Sequence, residues 1–230
     1  MNFTLIIYEI DTNFYSYFGG LFMEVKKTTY FFIKRLFDIL LSLFGLVLSL
    51  IPMIIISIAI KLESKGPVFF KQVRTGKGGK NFNLYKFRSM TVDNDVLNFK
   101  TENKITKVGK FIRKTSLDEL PQLFNILKGE MSFIGPRPWI VEYYNNFNAY
   151  QKRRVEVLPG ITGLAQATGR NNLNIFEKIN YDIEYVDNFS FKMDLKVVFK
   201  TIKTVLSKEG AEISKYGIKE EIEDLKHQNA

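Results

Sequence analysis

Adjacent carboxylates set among cations mark the part of this chain best equipped for chemistry. The run is Lys110-Phe-Ile-Arg113-Lys114-Thr-Ser116-Leu-Asp118-Glu119-Leu-Pro121-Gln-Leu, followed by the turn Gly135-Pro136-Arg137-Pro138. An enzyme acting on a metal-bound phosphate ester needs this mixture, because cations take up phosphate charge while one carboxylate attacks and another holds the metal. Two prolines bracketing Arg137 freeze the backbone around one guanidinium, which suits bidentate phosphate recognition. Lys86 and Arg88 stand two apart in an extended segment, hence on one face of a strand, with Tyr85 and Phe87 on the other. Ser116-x-x-Glu119 also fits a helix capping box, a purely structural role for the same residues.

Other patterns carry less. Gly76-x-Gly78-Gly79 lacks the further glycine or the Gly-Lys-Ser/Thr ending of the nucleotide loops and reads as a hairpin turn. Asp93-Asn-Asp95 lacks the glycine and the terminal glutamate of a calcium loop and reads as solvated. The chain has no cysteine and one histidine, His227, in a polar C-terminal stretch, which excludes disulfide frameworks, thiolate chemistry and His-based triads. With 33 Lys and Arg against 24 Asp and Glu, the net charge of +9 fits an anionic partner: a nucleotide, a lipid phosphate, an anionic membrane face or a nucleic acid.

These residues must be positioned by something, and the most distinctive element is apolar. Ile39 to Ile60 carries no charge, and as a helix it would extend roughly 33 Å, the hydrocarbon thickness of a bilayer. A single span is the simple reading. Two features favour entry and return on one face instead: Pro52 lies inside the run with Ser49 close before it, and both flanks are basic, with Lys26, Lys27, Lys34 and Arg35 before and Lys61, Lys65, Lys71 and Arg74 after. Beyond it, strands are predicted over 68–72 and 83–90, and a helix bearing Leu117, Leu120, Leu123, Phe124 and Leu127. A strand and turn follow over 131–138, a helical stretch over 139–157, and a turn-rich segment from Leu158 to Asn171. A strong helix over 192–207 places Leu195, Val198, Phe199, Ile202, Val205 and Leu206 on one stripe, to lie either in a membrane interface or against a core.

Taken in order, Lys34-Arg-Leu-Phe-Asp38, the Pro-broken apolar run, Tyr85-Lys-Phe-Arg-Ser-Met90, Ser116-Leu-Asp-Glu-Leu-Pro-Gln-Leu123, Gly129-Glu-Met-Ser-Phe-Ile-Gly-Pro-Arg-Pro138, Pro159-Gly-Ile-Thr-Gly-Leu-Ala-Gln166 and Gly169-Arg-Asn171 closely resemble the bacterial sugar transferases. These are the monotopic polyprenyl-phosphate phosphoglycosyl transferases, and the likeness is to their small, catalytic-core-only type. The resemblance implies transfer of sugar-1-phosphate from a UDP-sugar to polyprenyl (undecaprenyl) phosphate, with release of UMP, as the initiating step of glycan assembly such as capsule or exopolysaccharide.

By the same resemblance Asp118 is the nucleophile that becomes a phospho-sugar aspartate, Glu119 helps hold Mg²⁺, and Lys86, Arg113, Arg137 and Arg170 serve the substrate phosphates or nucleotide; Arg88, on the strand face of Lys86, is counted with the substrate-binding cations. Ser49 and Pro52 are the bend of a re-entrant helix. Here Ile51 separates Pro52 from Ser49, where the family has an adjacent Ser-Pro pair.

The expected architecture is α+β. An uncertain N-terminal extension (1–33) precedes the re-entrant membrane helix (34–65). A mostly helical domain with short strands and interfacial amphipathic helices (66–208) follows, then a polar, flexible tail (209–230). The expected location is the cytoplasmic side of the bacterial inner membrane. Expected partners are UDP-sugar, polyprenyl phosphate, membrane lipid and downstream glycosyltransferases, and no nucleic acid. A membrane-anchored basic binding module without catalysis would also account for charge and apolar run, but not for carboxylates embedded among the cations.

Overall fold

The computed structural model describes the backbone of residues 3–91, 105–169, 172–207 and 217–229, and side chains within 28–91, 105–169, 172–206 and 217–228. The fold is α+β, mostly helical with short strands. Its longest element is α1, Phe3–Glu63, within which Thr28–Glu63 is long and apolar enough to cross a membrane by length and composition. Residues along one stripe of α1 are buried: Lys34, Asp38, Ser42, Ser49, Met53, Ile56 and Ile60, at the three-and-four spacing of a helix face. The opposite face is apolar and exposed, through Leu40, Phe44, Val47, Leu48, Ile51, Ile55 and Ile58. This inverts the pattern of a helix in water and calls for an apolar surrounding.

At Pro52, where a bend is expected, α1 stays helical without interruption. Proline withholds one N–H and crowds the preceding turn, yet its fixed φ is a helical φ, so the lost bond weakens the helix without ending it. Ser49 Oγ bonds within the helix, to the Leu46 carbonyl at 3.4 Å, and lies 3.6 Å from Met53 Sδ. The helix also continues N-terminal to Lys34, into the segment set apart as an extension.

Polar side chains of α1 fasten it to the rest. Lys34 Nζ meets Asp194 Oδ2 at 2.5 Å, and Tyr30 and Tyr185 hydroxyls donate to the same carboxylate at 2.5 and 2.6 Å. Arg35 donates to the carbonyls of Ile126 and Leu127 at 2.5 and 2.9 Å, closing the C-terminal end of α3, Gln122–Lys128. Asp38 Oδ1 accepts from Ser132 Oγ and Phe133 N, both at 3.1 Å. At the far end, Glu63 accepts from Lys107 N and Val108 N at 2.6 and 2.9 Å, capping α2, Lys107–Lys114.

β1 (Phe69–Thr75) and β2 (Asn81–Phe87) form the expected hairpin, antiparallel, with its turn over Gly76 to Lys80. Buried Asn125 of α3 locks β2, accepting from Tyr85 N at 3.1 Å and donating to Asn83 O at 2.7 Å. β3 (Ser132–Ile134) pairs in parallel with β4 (Gly160–Thr162), and a Cβ on Gly160 would fall 2.2 Å from Gly135 N. The stretch 139–157 is split into α4 (Val141–Asn145), α5 (Ala149–Lys152) and a 3₁₀ turn. Then come α6 (Leu164–Thr168), α7 (Ile175–Asp187) and α8 (Phe191–Ser207).

The stripe of α8 left open between interface and core faces outward: Leu195, Phe199, Ile202, Val205 and Leu206 are exposed, and Met193 and Val197 supply the buried face instead. Of the tail expected to be flexible, 218–229 is helix α9 (Ile218–Asn229), with Leu225 fully buried; 209–216 lies outside the described residues.

Removing the Asp194 carboxylate should strand buried Lys34 and two tyrosine hydroxyls. Asp194→Ala is expected to cost about 3–5 kcal/mol in detergent-solution unfolding, and Asp194→Asn clearly less. A loss under about 1 kcal/mol for the alanine variant would show that this cluster does not hold α1 in place.

Candidate active site

The carboxylate pair sits where two helices meet at a sharp turn. α2 ends at Thr115, and Ser116 takes φ 56 and ψ 16, the left-handed region, as the only non-glycine residue with positive φ among the described residues. A residue held there costs of order 1–3 kcal/mol and persists where its surroundings fix it, often at functional sites. The expected capping box is therefore not formed: a cap needs extended backbone, and the Ser116 side chain makes no cap bond. What Ser116 does is reverse the chain into a 3₁₀ turn, Leu117–Glu119, that carries both carboxylates inward.

Asp118 is buried, with 8% of its surface exposed. From β2, Lys86 Nζ reaches Glu119 Oε1 at 2.6 Å and Asp118 Oδ2 at 3.9 Å. From the turn after β3, Arg137 Nη2 reaches the same Glu119 oxygen at 3.2 Å. Burial alone would raise Glu119, but Arg137 and Lys86 outweigh it and hold the carboxyl down at about 2. Asp118 goes the other way. Burial raises it and the Glu119 charge adds to this, while Lys86, Arg113 and Arg137 only partly compensate. Lys86 is itself lowered, by burial and by the like charge of Arg137, against the pull of Glu119 and Asp118. The two carboxylates thus differ in kind: Glu119 is a fixed anion, and Asp118 is a buried carboxylate whose nearest cation among the described residues, Lys86, stands 3.9 Å away.

Of the residues singled out from sequence, Asp118, Glu119, Lys86 and Arg137 are brought together, with Arg113 at the end of α2 close enough to act on Asp118 by charge. Arg88 is not among them. It is buried beyond the end of β2 and donates to the carbonyls of Lys65 and Ser64, the latter at 2.8 Å, closing the C-terminal end of α1. The alternation that paired it with Lys86 fails because the strand ends at Phe87. Ser49 and Pro52 stay within α1. Arg170 lies outside the described residues.

Two arginines that sequence reasoning did not assign shape the Arg137 turn. Arg74 on β1 donates to Pro138 O at 3.1 Å, and burial with the like charge of Arg137 presses its pKa down to about 10. Arg154 donates to Arg137 O at 2.6 Å, pairs with buried Asp182 at 2.6 Å, and lies 4.3 Å over the Trp139 ring. Nothing near Arg154 in sequence marks it, since Asp182 and Trp139 are remote.

The bacterial sugar transferase family matches residues 29–208 of the chain. The uncharacterized sugar transferase EpsL of Bacillus subtilis is 46% identical over 180 residues, covering 77% of this chain and 89% of EpsL. The UDP-glucose:undecaprenyl-phosphate glucose-1-phosphate transferase of Klebsiella pneumoniae is 47% identical over 181 residues, 74% of this chain and 39% of that protein. A UDP-N-acetylgalactosamine-undecaprenyl-phosphate N-acetylgalactosaminephosphotransferase of Aeromonas hydrophila is 44% identical over 195 residues, 79% of this chain and 45% of its own length. This chain therefore spans less than half of the last two. It belongs to the bacterial sugar transferase family and is an enzyme of that class.

The opposed shifts of the two carboxyls set opposite expectations for stability. Ionised Asp118 opposes folding once pH exceeds its raised pKa, so Asp118→Asn should melt no lower than the parent at neutral pH. Glu119 stabilises above its ordinary value of about 4.3 and loses this as pH falls towards about 2, so Glu119→Gln should melt lower, leaving half-buried Lys86 beside a neutral group. Equal melting losses in both variants would contradict the assignment of fixed and strained carboxylates.

Proposed function

We propose that the protein transfers sugar-1-phosphate from a UDP-sugar to undecaprenyl phosphate, through a covalent phospho-sugar on Asp118 and with release of UMP. The observation that carries this reading is buried Asp118 beside half-buried Glu119, with Lys86 and Arg137 engaging Glu119 directly and Lys86 standing 3.9 Å from Asp118, the carboxylate we assign as nucleophile. A mere anion-binding module gains nothing from burying two anions in its basic site.

In the first step an Asp118 oxygen bonds to the sugar-bearing phosphorus of the donor, and the bond from that phosphorus to the bridging oxygen breaks, the electron pair leaving with UMP. In the second, a phosphate oxygen of the lipid attacks the same phosphorus and Asp118 departs as carboxylate, ready to repeat. The work is positioning and charge stabilisation. Lys86, Arg113 and Arg137 are placed to take the charge of the diphosphate and of the leaving phosphate, and Arg170 is assigned to the nucleotide by sequence motif. The low exposure of Asp118 guards the intermediate from water.

The donor set suits Mg²⁺. Among the described residues no group of three or more His, Cys, Asp or Glu gathers, and Mg²⁺ commonly takes one or two protein carboxylates, completing its shell from substrate phosphates and water. Glu119 would hold it, with Asp118 adjacent, and when bound it would neutralise diphosphate charge.

Location follows from α1. Its stripe from Lys34 to Ile60 is buried against one polar domain along about 39 Å of helix, so that domain reaches both ends of the apolar stretch. Together with the basic flanks, this supports a helix lying in one leaflet, entering and leaving on the cytoplasmic face, with Pro52 as the place where it bends. The outward apolar face of α8 supports an interfacial seat for the domain.

UMP release from a panel of UDP-sugars with undecaprenyl phosphate tests the reaction. Asp118→Asn should lower turnover by roughly 10³-fold or more, EDTA should stop it, and the acid limb of the rate should fall above the ordinary aspartate value of about 3.9, because Asp118 must be ionised to attack. Full activity of Asp118→Asn ends the proposal. Topology is tested separately: the chain has no cysteine, so Thr28→Cys and Lys65→Cys report alone. Both should be labelled from the cytoplasmic side, and labelling of residue 28 only from outside would make α1 an ordinary span.

A further inference from the structure

Helix α9 lies outside the 29–208 span shared with the family, yet it is packed into the wall behind the site. Leu225 is fully buried in a cluster with Trp139, Ile140, Tyr143, Ile175 and Ile179. Glu221, 7% exposed, fastens two elements at once: its Oε2 accepts from the Tyr143 hydroxyl on α4, and its Oε1 accepts from Lys178 Nζ on α7 at 2.8 Å. Tyr143 belongs to the first helix after the Gly135-Pro136-Arg137-Pro138 turn, and its ring packs on Trp139 at 5.0 Å. Trp139 is the platform for Arg154, which donates to Arg137 O at 2.6 Å, and Arg137 in turn engages Glu119 at 3.2 Å. A continuous run of contacts thus leads from α9 to the guanidinium assigned to the donor's phosphates.

We propose that α9 is a positioning brace for the donor site, acting through Glu221, Tyr143 and Trp139 on the Arg137 turn. This rests on the reaction proposed above. The physical reason is that the turn is anchored at its backbone by Arg74 and Arg154, and Arg154 is held between the Asp182 carboxylate and a packed aromatic surface. For Arg154 that surface is Trp139, which α9 covers through the shared cluster. Loosening it moves Arg137 by a fraction of an ångström to an ångström, enough to weaken phosphate binding while the nucleophile stays in place. A helix that merely completes the core would affect stability alone.

The test uses the full-length protein in the UMP-release assay, with donor KM, kcat and melting temperature measured together. Glu221→Ala is expected to raise the KM for the UDP-sugar about tenfold with kcat changed much less, and Glu221→Gln, which keeps an acceptor for Tyr143, should recover most of this. In an Arg137→Lys background the same Glu221→Ala change should add less than about twofold, since the brace then has no guanidinium fork to position. An unchanged KM with only a lower melting temperature, or effects that multiply fully across the two positions, would overturn the inference. Should Glu221→Ala fail to fold, Tyr143→Phe, which removes only the hydroxyl donated to Glu221, decides by the same ratio in the two backgrounds. A parent protein that releases no UMP from any donor would instead sink the reaction on which the inference rests.

Discussion

One carboxylate oxygen organises this protein. Glu119 Oε1 receives Lys86 at 2.6 Å and Arg137 at 3.2 Å, joining the β1–β2 hairpin, the turn before α3 and the turn after β3 at a single half-buried point. Burying a carboxylate is costly unless it is paired and hydrogen-bonded, and removing either partner leaves a charge uncompensated. The arrangement therefore fixes the relative positions of three segments that otherwise share little. It also separates the two acids: Lys86 and Arg137 bond to Glu119 and hold it at about 2, while Asp118 next to it is raised by burial and by that same anion against only partial compensation from the cations.

The long helix serves the same point from the other side. Its polar stripe grips α3 through Arg35, β3 through Asp38 and α8 through Lys34, all elements that carry or border the site, while the face turned away is apolar and exposed. An exposed apolar surface and the construction of the site are thus two faces of one element. This suits a reaction in which a lipid phosphate must reach a buried carboxylate that a water-soluble donor has just modified.

The site was largely legible in sequence because its residues fall in short motifs whose spacing survives folding: Asp118-Glu119, Gly-Pro-Arg137-Pro and Lys86 converge as their chemistry suggests. The failures have physical causes. Arg88 was assigned by strand alternation, and the strand stops one residue short of it. Ser116 has the composition of a cap but the backbone of a left-handed turn. α7 was overlooked although Asn174 and Glu177 form a full capping box at its start, a signal present in the sequence. α9 looked like a solvated tail because its single fully buried residue, Leu225, and its buried glutamate find partners in α4 and α7, far off in the chain, which no local pattern displays. The apolar stripe of α8 was seen correctly, but only packing could say that it faces outward.

The account stands or falls on Asp118 becoming covalently modified. The most direct measurement is peptide-resolved mass spectrometry of the protein incubated with UDP-sugar and no lipid acceptor. The account predicts a phospho-sugar on the peptide containing Asp118, lost when undecaprenyl phosphate is added and absent from Asp118→Asn. Turnover in the complete reaction without any such adduct, or an adduct on another residue, would contradict it.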